Sequence, residues 1–228
     1  MAPATEICFL PLQEGSYSDD ASSGVDPKFK KMFDTILAQE GCQRLYWGRQ
    51  VEHPSILTLF IDWDSVEHHE KFIACGTYKP FTDEVGAFLT GPPRFYHVNF
   101  DPQPPTRALA DGGPFATEFI TIYFPTDYSA DDQKVFEASL NKLVDVARKH
   151  SPGFKTSAGG WAIEQLDLPD GSSKAKVFVA LFGWESVEAH QKFRETQAFK
   201  DNIHLLRGAK DLKAVSVFHV LAKEASRS

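Results

Sequence analysis

Ile61-Asp62-Trp63-Asp64-Ser65-Val66-Glu67-His68-His69-Glu70-Lys71-Phe72 is written a second time as Phe182-Gly183-Trp184-Glu185-Ser186-Val187-Glu188-Ala189-His190-Gln191-Lys192-Phe193. The match spreads outward from this stretch. Ala4-Thr5-Glu6 returns as Ala116-Thr117-Glu118, Trp47 as Trp161, and His97 as His219. All 4 tryptophans of the chain fall into such pairs. A spacing of this length exceeds any solenoid unit, so the repeat predicts two copies of one small domain fused in tandem. The expected division is 1–103 for the first copy, 104–114 for a Pro/Gly-rich linker, and 115–228 for the second.

The 228 residues suit two domains of ordinary size. The net charge of −7 is uneven. Residues 1–111 carry 9 Lys/Arg against 16 Asp/Glu, which leaves 15 against 15 of the totals 24 and 31 for the rest. An acidic chain without a basic stripe predicts no nucleic-acid partner and no anionic membrane partner. The start lacks the basic flank and apolar run of a signal peptide, and no stretch approaches the roughly 20 apolar residues of a membrane span. Cys8, Cys42 and Cys75 are odd in number, lack CxxC spacing and read as reduced thiols, so the expected setting is cytoplasmic.

Within the first copy, Glu6 to Leu12 suits a strand. Asp26-Pro27 is a helix start, and Phe29, Met32, Phe33, Ile36 and Leu37 follow at helical spacing before Gly41. Arg44 to Val51 and Ile56 to Trp63 read as a hairpin, Asp64 or Ser65 caps a second helix, and Arg94 to Phe100 is a last strand. The order β-α-β-β-α-β is the ferredoxin-like split unit. The second copy repeats it, with a strand from Thr117 to Phe124, a helix from about Ala130 to Lys149, a hairpin from Gly160 to Trp184 and a final strand from Ala214 to Ala222. Ile56 to Ile61 and Val177 to Phe182 are apolar on both faces, whereas a sheet with one wet face alternates. Helices can cover one face, and the sister sheet is the natural cover for the other. The predicted class is therefore α+β: two ferredoxin-like repeats packed sheet to sheet as an intramolecular pseudo-dimeric α+β barrel. Such a chain is expected to be a monomeric pseudo-dimer, with further homodimerisation through sheet edges left open.

Tyr46-Trp47-Gly48-Arg49, the pair Trp63 to Glu67 and Trp184 to Glu188, and Ala198-Phe199-Lys200 resemble the dimeric α+β barrel superfamily. That superfamily includes the antibiotic-biosynthesis monooxygenase (ABM) domains and the stress-responsive barrels. The resemblance implies the fold; its members include cofactor-free quinol and anthrone oxygenases, haem-degrading oxygenases, a polyketide cyclase and proteins without a known reaction, so activity is left open. The cyclase's tyrosine and histidine positions correspond to Phe72 and Tyr78 in copy one and to Phe193 and Phe199 in copy two, so neither copy keeps that acid/base pair. The haem-degrading pattern is absent too: the first strand offers Ile7, Cys8 and Phe9 where an asparagine is needed, and His204 sits one residue off the ligand position.

His69 and His190 lie three residues into the second helix after Val66 and Val187, and His97 and His219 lie inside apolar strands. A histidine there needs a hydrogen-bond partner. If both histidines of a copy share one space they form a candidate general-base pair; the alternative is a satisfied core histidine carried along by duplication. His69 and His97 are the candidate bases, and Tyr78 and Tyr96 the candidate hydroxyls that polarise a carbonyl. Trp47, Arg49, Phe72, His190, His219 and Trp161 are the candidate substrate contacts. No metal cluster, GxGxxG, phosphate loop or GxSxG is present, so neither metal nor cofactor is expected. The reading is a cofactor-independent enzyme acting on a hydrophobic aromatic or polyketide-like small molecule, by cyclisation, isomerisation or oxygenation, that is, a monooxygenase-like or cyclase-like barrel. The alternative is a non-catalytic small-molecule-binding or stress-response barrel.

Overall fold

The repeat is carried down to individual strand registers in the structure, a computed structural model that describes residues 2–15, 25–109 and 115–226. Most of the polar loop read at Glu14 to Gly24 and residues 110–114 of the expected linker lie outside the described residues. The chain forms two units. One runs to Asn99 and takes back the chain from Ala222 onward, and the other is Phe100–Leu221.

In the first unit β1 (Ala4–Pro11) leads to α1 (Pro27–Leu37), the hairpin β2 (Cys42–Arg49) and β3 (Ile56–Trp63), then α2 (Val66–Ala74), α3 (Tyr78–Gly86) and β4 (Arg94–Asp101). Asp26 caps α1 by accepting from the Lys28 N–H, and Pro27 supplies a preset φ at the first position. The predicted stripe Phe29, Met32, Phe33, Ile36 and Leu37 is the buried face of α1, at about 1.5–3 kcal/mol per large side chain relative to exposure. Gly41 turns the chain into β2 at φ +79°, and a Cβ there would land on the His68 imidazole, so only glycine suits both the backbone and the space. The sheet order is β2-β3-β1-β4, all antiparallel.

The second unit opens with the short α4 (Thr106–Leu109) inside the expected linker, then β5 (Ala116–Phe124), α5 (Ala130–His150), β6 (Phe154–Ala162), the two-residue β7 (Leu166–Asp167), β8 (Lys174–Trp184), α6 (Val187–Glu195), α7 (Gln197–Asn202), α8 (His204–Arg207) and β9 (Ala214–Val220). Its sheet order β6-β8-β5-β9 repeats that of the first unit. Even the register irregularity recurs, between Cys42 and Arg44 on β2 and between Phe154 and Thr156 on β6. After β9 the chain adds β10 (Lys223–Glu224) antiparallel to β2 of the first unit.

Three features differ from expectation. β6 starts six residues before Gly160 (160 − 154), because Thr156-Ser157-Ala158-Gly159 is too small and polar to announce a strand. The last strand ends at Val220, not Ala222. The segment after α2 and α6 is helical in both units, as α3 and as α7 with α8, where no helix was read. β3 and β8 are buried almost throughout, as their two-sided apolar pattern requires. Each unit has its own core, between its sheet and its helices.

Candidate functional site

The duplicated residues converge on one arrangement in each unit. Trp63 ends β3, Ser65 starts α2, and His69 therefore sits one turn into the helix, beside the sheet. Its ring stacks on Trp63 with centroids 5.1 Å apart. Glu6 on β1 lies directly across from His97 on β4. The indole Nε1 of Trp63 donates to Glu6 Oε2 at 2.9 Å, His69 Nδ1 lies 3.4 Å from the same oxygen, and His69 Nδ1 and His97 Nε2 share a hydrogen bond of 2.9 Å. All four side chains are buried.

The second unit repeats the cluster, with the other ring nitrogen of the helix histidine toward the glutamate. Trp184 Nε1 donates to Glu118 Oε2 at 2.9 Å, His190 Nε2 lies 3.4 Å from Glu118 Oε1, and His190 Nδ1 bonds to His219 Nε2 at 2.8 Å. Glu118 is the register partner of His219. The paired histidines foreseen from sequence thus meet in both units. The glutamates were not foreseen as site residues, although Ala-Thr-Glu was part of the repeat. A carboxylate inside an apolar strand, present at the same place in both copies, was the signal.

Each cluster forms the wall of a cavity between helices and sheet. The first is about 160 Å³ and is lined by Glu6 and His69 together with Cys8, Phe72, Tyr78 and Phe95 among others. The second is about 200 Å³ and is lined by Glu118 and His190 with Phe193, Phe199, Arg194 and Arg207 among others. Burial, with Glu6 adding to it, pushes the Cys8 thiol well above its usual range, so it stays a thiol rather than a nucleophile. Burial first, then Glu6 and Cys8, also raises Tyr78, which remains a protonated hydroxyl able to donate.

Of the predicted site residues, His69, Phe72 and Tyr78 line the first cavity and His97 backs it through His69. His190 lines the second and His219 backs it. Tyr96 neighbours His97 on β4 and so faces the other side of the sheet, where its ring lies 6.2 Å from Phe9. Trp47 packs on Phe29 and Phe33 of α1. Trp161 sits among Phe124, Phe136 and Phe178, with its Nε1 bonded to Glu137. Tyr96, Trp47, Arg49 and Trp161 do not line either cavity. His204 is exposed on α8, away from the second cavity's lining.

Glu6, His69 and His97 also place three metal-type ligand atoms within 4.8 Å of one another. Local spacing did not reveal this group, because its members come from three separate elements. The donor set suits a divalent transition metal. In the pair as it stands, a shared N–H fills the gap between the two imidazoles, and a cation would have to displace that proton.

No protein-family model matches the sequence, and none of the curated proteins does. Solved structures do match over the full length. A protein described as anthrone oxidase-like aligns over 100% of this chain and 95% of its own, at 17% identity and a TM-score of 0.68. The chain has the dimeric α+β barrel fold, as two fused repeats. A candidate monooxygenase from Lactobacillus acidophilus NCFM aligns over 100% and 97%, at 17% identity and a TM-score of 0.59. A candidate chlorite dismutase aligns over 99% and 96%, at 12% identity and a TM-score of 0.54. Among the described residues, no helix is long and apolar enough to cross a membrane.

Proposed function

We propose that the first unit is a cofactor-independent acid/base site for a small aromatic molecule, and that the second unit carries the same base in a different cavity. The observation that carries this is the Glu-His-His cluster at the wall of an apolar cavity. His69 takes a proton from a carbon next to a carbonyl of the ligand. Glu6 faces the positive charge that then develops on the imidazole, and His97 shares the proton. The Tyr78 hydroxyl at the same cavity donates to the carbonyl oxygen as it gains negative charge. The enolate so formed isomerises, closes a ring or is captured by dioxygen. The names of the full-length structural neighbours, an anthrone oxidase-like protein and a candidate monooxygenase, support a reaction of this class.

Size sets the substrate. A cavity near 160 Å³ compares with one of about 150 Å³ that accepts benzene. It holds one ring, and a three-ring anthrone requires the helices to part. The direct test is α-proton exchange of phenylacetone in deuterated buffer, followed by NMR. Wild type should accelerate exchange, and His69→Gln should lower the first unit's contribution by about 10²-fold or more. Equal exchange in wild type and in His69→Gln/His190→Gln, with both folded, sinks the catalytic reading.

A second reading is supported by the cluster's self-sufficiency: every member is bonded to another member in both units. A binding barrel needs no more than that. It predicts aromatic binding without exchange.

A further inference from the structure

The two cavities are lined in large part from matching places in the repeat, so the places where they differ are informative. A spacing of 121 carries Phe72 to Phe193 (193 − 72) and Val85 to Leu206 (206 − 85), and all four line their cavities. The same spacing carries Ile73 to Arg194 and Gly86 to Arg207. Neither Ile73 nor Gly86 lines the first cavity, and among the described residues no Lys or Arg does. Both arginines line the second. Neither guanidinium has a hydrogen bond or ion pair to any described residue, in contrast to Arg44 on Asp62 and Arg148 on Asp145.

The neutral polar groups change in the opposite sense. Cys8, Tyr78 and Thr82 of the first cavity are matched by Ile120, Phe199 and Ile203 in the second. The second cavity has lost its thiol and hydroxyls and gained two guanidinium groups. These are exposed, whereas Glu118 is 6% exposed. An anionic head placed at the exposed end meets two cations and stays away from the buried carboxylate. Its apolar body then lies against Phe193 and Trp184.

The geometry points to a one-ring aromatic carboxylate as the ligand of the second cavity, held at the mouth by Arg194 and Arg207, while the first cavity takes a neutral ring. This rests on reading the cavities as ligand sites. Guanidinium groups match a carboxylate bidentately. Because the pair is exposed, its contribution is bounded by solvent screening.

The test is a ¹⁹F NMR titration with 4-fluorobenzoate and its neutral counterpart 4-fluorobenzamide, in wild type, Arg194→Gln/Arg207→Gln and Ala147→Leu. The expected result is a fluorobenzoate Kd weakened about tenfold or more in the arginine variant, with the benzamide unchanged. Ala147→Leu, which fills the second cavity, should weaken the benzoate and remove one of the two benzamide sites. Equal benzoate affinity in wild type and the arginine variant overturns the proposal, as does benzoate binding that Ala147→Leu leaves intact. The readout is binding, so an absence of α-proton exchange leaves a positive result standing. Failure here leaves exchange by the first unit untouched, and fluorobenzoate that does not bind wild type at all overturns this proposal alone.

Discussion

At the scale of single residues, the buried Glu6 and Glu118 are the costly groups. A carboxylate removed from water must be hydrogen-bonded, and the indole N–H of Trp63 or Trp184 is a direct donor at 2.9 Å. Trp63→Phe keeps most of the ring and removes that donor. Its expected cost is about 1–3 kcal/mol in urea unfolding, with Trp184→Phe alike. A loss below about 0.5 kcal/mol in both, the level of an unimportant site, would show the indole bonds to be dispensable. Asp62 offers a test by pH. Burial raises its folded-state pKa, against the lowering effect of the Thr5 hydroxyl and Arg44. A raised carboxyl pKa gives stability that is present below the unfolded value near 3.8 and is lost as pH rises through the folded value. Asp62→Asn lacks this loss. Its stability relative to wild type should therefore be higher at pH 7 than at pH 3, and the reverse order in chemical denaturation would contradict the assignment. The sequence marked the histidines because they interrupt apolar runs. It did not mark Glu6 as their partner, since pairing across strands has no local signature.

Among the elements, the two copies of the repeated helix start differently. Ser186 accepts from the Ala189 N–H, whereas the Ser65 hydroxyl makes no such cap and lies 3.0 Å from His68 Nδ1. Ser186→Ala should destabilise by about 1 kcal/mol, and Ser65→Ala should disturb its helix N-terminus less, as hydrogen exchange in the first turn of α2 and α6 would read. The strands β1, β3, β5 and β8 were legible as short apolar runs, and the helices α1 and α5 because their apolar residues recur at a period of 3.6. The helices α3, α7 and α8 were not. They are short, and only Val85 and Leu206 of these segments are buried, so no stripe is long enough to show a period. These segments complete the cavities, which is why the sequence could name candidate residues but not the space they enclose.

For the whole molecule, the repeat gives two copies of one Glu-His-His cluster, in cavities that differ. The expected consequence is stoichiometric. A neutral ring such as benzyl alcohol should bind at two sites per chain, and benzoate at one, by calorimetry. Two equivalent benzoate sites would mean that Arg194 and Arg207 do not distinguish the units.

The sequence by itself determined that the chain holds two α+β repeats, and which histidines and tryptophans are paired between them. That information lies in periodicity and in internal identity, both readable along one dimension. Tertiary structure alone decided that a glutamate from β1 or β5 completes each histidine pair, that Tyr96, Trp47, Trp161 and Arg49 stand outside the cavities, and that arginines line only the second. Those facts depend on which residues from distant strands and helices face the same few ångströms. Strand register and helix docking set that, and spacing along the chain does not encode it.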